Sequence, residues 1–314
     1  MKKLIVVLPC FNEEEVLPTS IKELNSLMEN MVLNKDISKD SFLCFVDDGS
    51  KDKTWDIITD NVLKNKFVRG IKLSKNSGHQ NALLAGLIYH IDQADMYISI
   101  DCDLQDDIEA IPLMVKDFEL GREIVYGVRS SREVDTAFKR KSAEIFYDIQ
   151  GSIGVDIVKN HADYRLISNN VLNCLIQYKE RNLYLRAMFP LIGFSSSIVY
   201  YKRKERFAGE SKYPLKKMLS FAWDGITSFS TFPLKLITIV GALIFCVSMF
   251  MSFWILGVKL FTEEAIPGWA STTIPIYFIG GIQLLSIGII GEYIGKIYTE
   301  TKQRPRYFIE KYEK

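Results

Sequence analysis

Over the first 130 residues, short apolar runs alternate with longer stretches of helical period. Leu4–Leu8, Leu43–Val46, Val68–Leu73, Met96–Ile100 and Ile124–Tyr126 have the length and composition of strands. Between them, Val16–Met31, Thr54–Lys64, Gln80–His90 and Ile108–Phe118 repeat apolar residues at helical spacing. Alternation of this kind predicts an α/β fold, a mostly parallel sheet with helices on both faces. In such sheets ligands bind at the carboxyl ends of the strands, so the residues that follow each strand carry the chemistry.

Toward the C-terminus the pattern changes. Leu236–Val258 is 23 residues without Asp, Glu, Lys or Arg, and Ala265–Gly291 is another 27. As a helix, 23 residues reach ~35 Å, enough for a hydrocarbon core of ~30 Å with some tilt, which predicts two membrane spans. Seven basic residues between Lys202 and Lys217 precede the first span, against Glu205 and Glu210 alone. Lys296, Lys302, Arg304 and Arg306 follow the second, while the connection offers only Lys259 beside Glu263 and Glu264. The positive-inside rule then puts both termini, and the soluble body, on the cytoplasmic side of a cell membrane. Leu215, Met218, Leu219, Ala222, Ile226 and Phe229 recur at helical spacing opposite Lys216 and Lys217, as in an amphipathic interface helix. The expected organisation is a soluble α/β domain over 1–212, an interface helix over 213–232, a two-helix anchor over 233–298 and a cytoplasmic tail over 299–314. Gly280, Gly281, Gly288, Gly291 and Gly295 on the second span would permit close helix contacts in a dimer or tetramer.

Composition hides this segregation. The 39 basic and 38 acidic residues leave a net charge of +1, which argues against a globally basic nucleic-acid binder. The total is a cancellation: residues 1–60 carry twelve acidic against seven basic groups, and 202–217 the reverse bias. At the start, Lys2 and Lys3 precede an apolar run that ends in Asn12-Glu13-Glu14-Glu15 without a small-residue cleavage site, unlike a signal peptide. The five cysteines are scattered, lack CxxC spacing and fit reduced thiols.

Four successive strand ends deliver polar residues. They read Pro9-Cys10-Phe11-Asn12-Glu13-Glu14, Asp47-Asp48-Gly49-Ser50-Lys51-Asp52, Ser74-Lys75-Asn76-Ser77-Gly78-His79 and Asp101-Cys102-Asp103-Leu104-Gln105-Asp106. Neither GxGxxG nor GxxxxGK[ST] is present, so a bound diphosphate would need a cation in place of a glycine cradle. Asp101 and Asp103, hard oxygen donors at a strand end, suit Mg²⁺ or Mn²⁺. Each motif has a plainer alternative. Asp47-Asp48-Gly49-Ser50 also reads as a turn and helix cap before Thr54, and Asp101-Cys102-Asp103 as a solvated loop. His79 and His90 have no third His or Cys at metal-ligand spacing to support a metal site.

With these residues in view, the chain resembles the family-2 glycosyltransferases of GT-A (Rossmann-like) fold, and within them the polyprenyl-phosphate glycosyltransferases. Besides the four strand ends, the resemblance rests on Asn76–Leu87, Ala162-Asp163-Tyr164-Arg165-Leu166, Arg206–Tyr213, Gly291–Tyr298 and Arg304-Pro305. It implies a catalytic domain that moves a hexose from a nucleotide sugar, UDP-glucose or alternatively GDP-mannose or another UDP-sugar, to a polyprenyl phosphate at the membrane. It further implies that Pro9, Asn12, Glu13 and Asp47 or Asp48 hold the nucleoside, with Asp101 near the ribose and diphosphate. Asp103 and Gln105 would ligate the metal. Arg129 and Arg140 would contact the acceptor phosphate, and Arg206 and Lys212 would clamp phosphate groups. An acceptor phosphate with a second pKa near 6 is largely dianionic at neutral pH, so Asp163 is less needed as a base and could instead position Arg165 or the acceptor. A processive polysaccharide synthase would carry Gln-x-x-Arg-Trp, absent here, and a non-catalytic nucleotide-sugar sensor would need no acceptor site.

Overall fold

The computed structural model describes residues 1–130, 161–181, 184–203, 227, 232–261 and 268–314. The chain divides into two compact units, Met1–Pro214 with Arg304–Lys314, and Leu215–Gln303.

Among the described residues the first unit is built on eight strands: β1 (Leu4–Cys10), β2 (Phe42–Asp47), β3 (Val68–Leu73), β4 (Met96–Ser99), β5 (Ile124–Arg129), β6 (His161–Ser168), β7 (Ser196–Tyr201) and β8 (Ile309–Glu313). Their order across the sheet is β7-β5-β6-β4-β1-β2-β3-β8. Pairs β1–β2, β1–β4, β2–β3 and β5–β7 are parallel, while β6 runs antiparallel to both β4 and β5. Every residue of β1 and β2 is buried, which explains their unbroken apolar runs: central parallel strands are covered on both faces.

Four helices follow the first four strands: α1 (Leu17–Leu33), α2 (Thr54–Lys64), α3 (His79–Tyr89) and α4 (Ala110–Glu119). Leu4, Val6 and Leu8 join Leu17, Ile21 and Leu24 of α1 and Ile111 and Met114 of α4 in one core. Val7 points the other way, to α3, where a Cβ on Gly86 would lie 2.4 Å from Val7 Cγ1 and 2.8 Å from Val46 Cγ2. Glycine therefore lets α3 lie directly on the sheet. Two shorter helices, α5 (Asn169–Leu175) and α6 (Leu185–Ile192), complete the described part of this unit.

The expected tail after residue 299 is partly a strand. β8 pairs antiparallel with β3, Lys72 Nζ meets Glu310 at 3.6 Å, and Tyr312 packs on Tyr89 and His90. Local pattern hid this strand, because Ile309-Glu310-Lys311-Tyr312-Glu313 is mostly charged and suits a sheet edge.

His90 lies fully buried beneath this edge, with Nδ1 3.0 Å from the Gly86 carbonyl. Burial pushes its pKa down to about 4, with Arg69 and Lys3 adding to the fall and the Gly86 bond opposing it. The unfolded imidazole titrates near 6.5. Its neutral form thus contributes stability that is present above pH ~6.5 and is lost progressively down to pH ~4, about 3 kcal/mol at most. Thermal melts across this range should show a falling midpoint that His90→Gln flattens; an unchanged slope in the variant would refute the assignment.

The second unit contains α7 (Phe232–Phe261) and α8 (Trp269–Lys302). Both expose large apolar side chains, among them Leu243, Phe250 and Trp254 on α7 and Phe278, Leu285 and Ile297 on α8. Within α8, Phe278–Lys302 is long and apolar enough to cross a membrane, with a mean hydropathy of 1.5 and none of that window buried. The described apolar stretch of α7, Pro233–Ile244, is shorter than a span, so one candidate span rather than two is found among the described residues. Of the expected interface helix, 213–232, only Thr227 and Phe232 lie among the described residues.

Candidate active site

The first two strand ends are bound together by their own backbones. Asn12, at φ 54, takes the left-handed conformation that Asn tolerates better than most residues. Its N–H donates to Ser50 Oγ at 3.0 Å, and its Oδ1 accepts from Lys51 N at 2.9 Å. Glu13 N donates to Thr54 Oγ1 at 2.9 Å, and Glu14 bridges to the backbone of Lys53. Pro9 pairs with Val46 inside the sheet. Between these loops Gly49 adopts φ +68, and a Cβ there would meet the Lys75 carbonyl carbon at 2.6 Å.

The paired aspartates of β2 face inward. Asp47 is wholly buried and its Oδ1 accepts from Ser50 N at 3.1 Å, whereas Oδ2 has no partner among the described residues. Asp48 accepts from Ser77 N at 2.7 Å through one oxygen and from Gly78 N at 2.9 Å through the other, which ties the β3–α3 loop to β2. Burial pushes both carboxyls above their usual range, and hydrogen bonds from Ser50 to Asp47 and from Ser77 and Gly78 to Asp48 oppose the rise. Asp48 thus organises a loop in this structure, whereas the helix-cap alternative is not met, since Lys53 precedes α2 and makes no side-chain cap bond.

At the end of β4, Asp101 is half exposed and Asp103 almost buried. Burial pushes the Asp101 carboxyl up to about 6; Asp106, Asp163 and Asp103 add to the rise and His79 opposes it. Concentrated negative charge on oxygen donors fits a hard divalent cation. No group of three His, Cys, Asp or Glu able to hold a metal occurs among the described residues, so such a cation would also need ligands from substrate or solvent. Gln105 differs from the expectation: its Oε1, the atom suited to a cation, accepts instead from the Arg203 guanidinium.

Strand β6 brings the next group. Because it runs antiparallel between β4 and β5, its first residues lie beside the last residues of those strands, and Ser99 Oγ donates to the Asp163 carbonyl at 2.7 Å. Asp163 Oδ1 accepts from Arg165 at 2.5 Å, and Arg186 of α6 reaches both carboxylate oxygens at 3.3 and 3.4 Å. His79 Nε2, at the start of α3, stands 3.5 Å from Asp101 and 3.8 Å from Asp163. Burial alone would raise the Asp163 carboxyl, but Arg186, Arg165 and His79 outweigh it and hold the group well below the usual carboxylate range. Arg129, at the end of β5, pairs with Asp106 at 3.4 Å.

The structure therefore brings Asp101 and Asp163 together at His79, with Asp103 two residues on in the same loop and Arg129 at the end of β5. Arg140, Arg206 and Lys212 lie outside the described residues. His79, considered only as a metal ligand, and Arg186 were missed as site residues. The available signal for Arg186 was one cation within the otherwise apolar helix Leu185–Ile192.

Polar loops at the ends of a parallel-centred sheet, bearing carboxylates and guanidinium groups, make this a GT-A-like α/β fold. Residues 5–179 match the model of glycosyl transferase family 2. The chain belongs to that family and is a glycosyltransferase. It is 49% identical to the uncharacterized glycosyltransferase YkoT of Bacillus subtilis (strain 168), over 98% of this chain and 91% of that protein. Identity is 37% with the prophage bactoprenol glucosyl transferase homolog of Escherichia coli (strain K12), over 99% of this chain and 100% of the relative. With the bactoprenol glucosyl transferase of Shigella phage SfII it is 38%, over 98% of each.

Proposed function

We propose that the protein transfers a hexose, glucose from UDP-glucose, to a polyprenyl phosphate, undecaprenyl phosphate, at the cytoplasmic face of a cell membrane. The product would supply cell-envelope glycan or glycoconjugate modification. The observation that carries the reading is the pair Asp101 and Asp163, both facing His79 Nε2 at 3.5 and 3.8 Å, at the sheet edge of a family-2 glycosyltransferase. End-to-end similarity to proteins named bactoprenol glucosyl transferases supports the acceptor and the sugar. The apolar α7 and α8, each bare of charge over most of its length, support two spans and a lipid acceptor.

Transfer breaks the bond between the anomeric carbon and the nucleoside diphosphate, so negative charge grows on the leaving oxygen. Asp101 and Asp103, joined by Gln105 once its Oε1 leaves the Arg203 guanidinium, would hold Mg²⁺ or Mn²⁺, which when bound supplies charge neutralisation to that diphosphate. The nucleoside would lie against the loops of Pro9, Asn12, Glu13 and Asp47 or Asp48. Arg129, Arg140, Arg206 and Lys212 would take phosphate oxygens. Asp163 orients rather than abstracts: its two guanidinium partners keep it ionised, and a dianionic acceptor phosphate carries no proton that must be removed. The acceptor oxygen attacks from the face opposite the leaving diphosphate, inverting the anomeric centre.

Incubating the purified full chain with undecaprenyl phosphate and labelled nucleotide sugars tests the proposal. The expected result is chloroform-soluble label from UDP-glucose that disappears with EDTA. Label only from GDP-mannose would reassign the donor; aqueous polymer or no product with any donor would overturn the reaction.

A further inference from the structure

The acidic loop after β4 does not end at its expected metal ligands. Asp106 follows Gln105 directly and is 2% exposed, too deeply placed to meet a substrate itself. Its Oδ1 nevertheless receives two donors from two other strands. The Tyr201 hydroxyl donates at 2.5 Å from the end of β7, and Arg129 NH2 at 3.4 Å from the end of β5. The two donors also meet each other, since Arg129 Nε lies 3.4 Å from the Tyr201 oxygen.

The backbone around this triangle is equally constrained. Arg129 and Tyr201 face each other as the last register pair of β5 and β7. Ser130 then closes the pair with its N–H and its hydroxyl, both donating to the Tyr201 carbonyl at 2.9 and 3.1 Å. Tyr164 packs edge-on against Tyr201, with ring centres 5.3 Å apart, and its hydroxyl donates to the Asp107 carbonyl at 3.0 Å. The loop is thus pinned at Asp106 and at Asp107, and the carboxylate cannot withdraw from Arg129 without a cost in hydrogen bonds.

Arg129 itself is not sealed: its side chain keeps about a quarter of its surface open, at 23%. A guanidinium held at one edge by a buried carboxylate still has donors on its other edge, which is the geometry that takes a phosphate oxygen. We propose that Asp106, braced by Tyr201, is a positioning residue that aims Arg129 at the acceptor phosphate. This rests on the reading of Arg129 as an acceptor-phosphate contact, and assigns to Asp106 and Tyr201 a part in acceptor binding that acts only through that guanidinium. It also places the metal loop and the acceptor contact close together, since residues 103 to 106 belong to one loop held to β7 through Tyr201.

Steady-state kinetics with UDP-glucose and undecaprenyl phosphate, on full-length variants whose melting points are recorded alongside, test it. Asp106→Asn should raise the acceptor KM about tenfold and leave the donor KM within about twofold. Tyr201→Phe, which keeps the ring packing, should move the acceptor KM the same way by about threefold, and serves if Asp106→Asn is poorly folded. Arg129→Lys should raise the acceptor KM on its own, and adding Asp106→Asn to it should change that KM by less than about twofold, because the path runs through one side chain. Multiplying effects in the double variant, or an unmoved acceptor KM in Asp106→Asn and Tyr201→Phe while Arg129→Lys raises it, would overturn the positioning role alone. An unmoved acceptor KM in Arg129→Lys would overturn the reading of Arg129, and the proposal with it.

Discussion

Asp103→Ala is expected to abolish glycosyl transfer, by a thousandfold or about that, while Asp163→Asn leaves a measurable fraction. The two carboxylates stand on the same sheet edge, but their surroundings differ. Asp103 sits in the turn after β4, where its Oδ1 accepts from Gln105 N at 3.2 Å and orders the loop that would hold the cation. Removing it withdraws both a ligand and the loop's internal brace, and the growing charge on the leaving diphosphate loses its largest compensation. Asp163 contributes orientation: Asn at this place keeps one acceptor oxygen, but loses the charge and turns an NH2 donor toward a guanidinium that the second oxygen had held. A residual rate of about one to ten per cent is expected, since positioning losses commonly cost one to two orders of magnitude. Chloroform-soluble product measured under saturating donor decides between them, and equal, complete loss in both variants would remove the distinction.

Stability should be most sensitive at Arg165. This guanidinium is 1% exposed, lies 2.5 Å from Asp163 and stacks over Phe189 with its carbon 4.6 Å from the ring centre. Arg165→Met fills a similar volume but takes away the buried counter-charge of Asp163. Breaking a buried pair from one side costs about 3–5 kcal/mol, and with Arg186 and His79 still beside Asp163 the loss falls at the lower end of that range, about 3 kcal/mol. For a unit of this size that corresponds to a fall of roughly 10 °C in melting temperature. Arg186→Met, which removes the more exposed partner of the same carboxylate, should cost at most about a third as much. Asp163 is held ionised far into acid, so its ion-pair contribution is complete at neutral pH and is lost only as pH falls below the ordinary carboxylate range. Thermal unfolding of both variants at neutral pH checks the order; a larger loss in Arg186→Met would reverse it.

The central strands and their loops were legible because the signals are local. A parallel strand covered on both faces must be apolar throughout, as Leu4–Cys10 is, and the turn that ends it must supply polar groups, as Asp47-Asp48-Gly49 does. The outer parts were less legible. β8 forms across some 240 residues of chain, between Ile71 and Tyr312, and no local period records such a partner. The metal expectation was legible only in part: the spacing of Asp101, Asp103 and Gln105 was visible, but the turn of Gln105 toward Arg203 depends on where β7 ends.

By itself the sequence determined which segments enter the core, which residues stand at strand ends, and where the chain becomes apolar enough for lipid. All three follow from side-chain chemistry read at a fixed backbone period. The tertiary structure alone decided which charges meet. Inserting β6 antiparallel between β4 and β5 turns Asp163 toward Asp101, and pairing β7 with β5 sets Tyr201 beside Arg129 and Asp106. An ion pair forms over a few ångströms, and distances of that order between remote residues are fixed by strand order and register, which hydrophobic pattern does not specify.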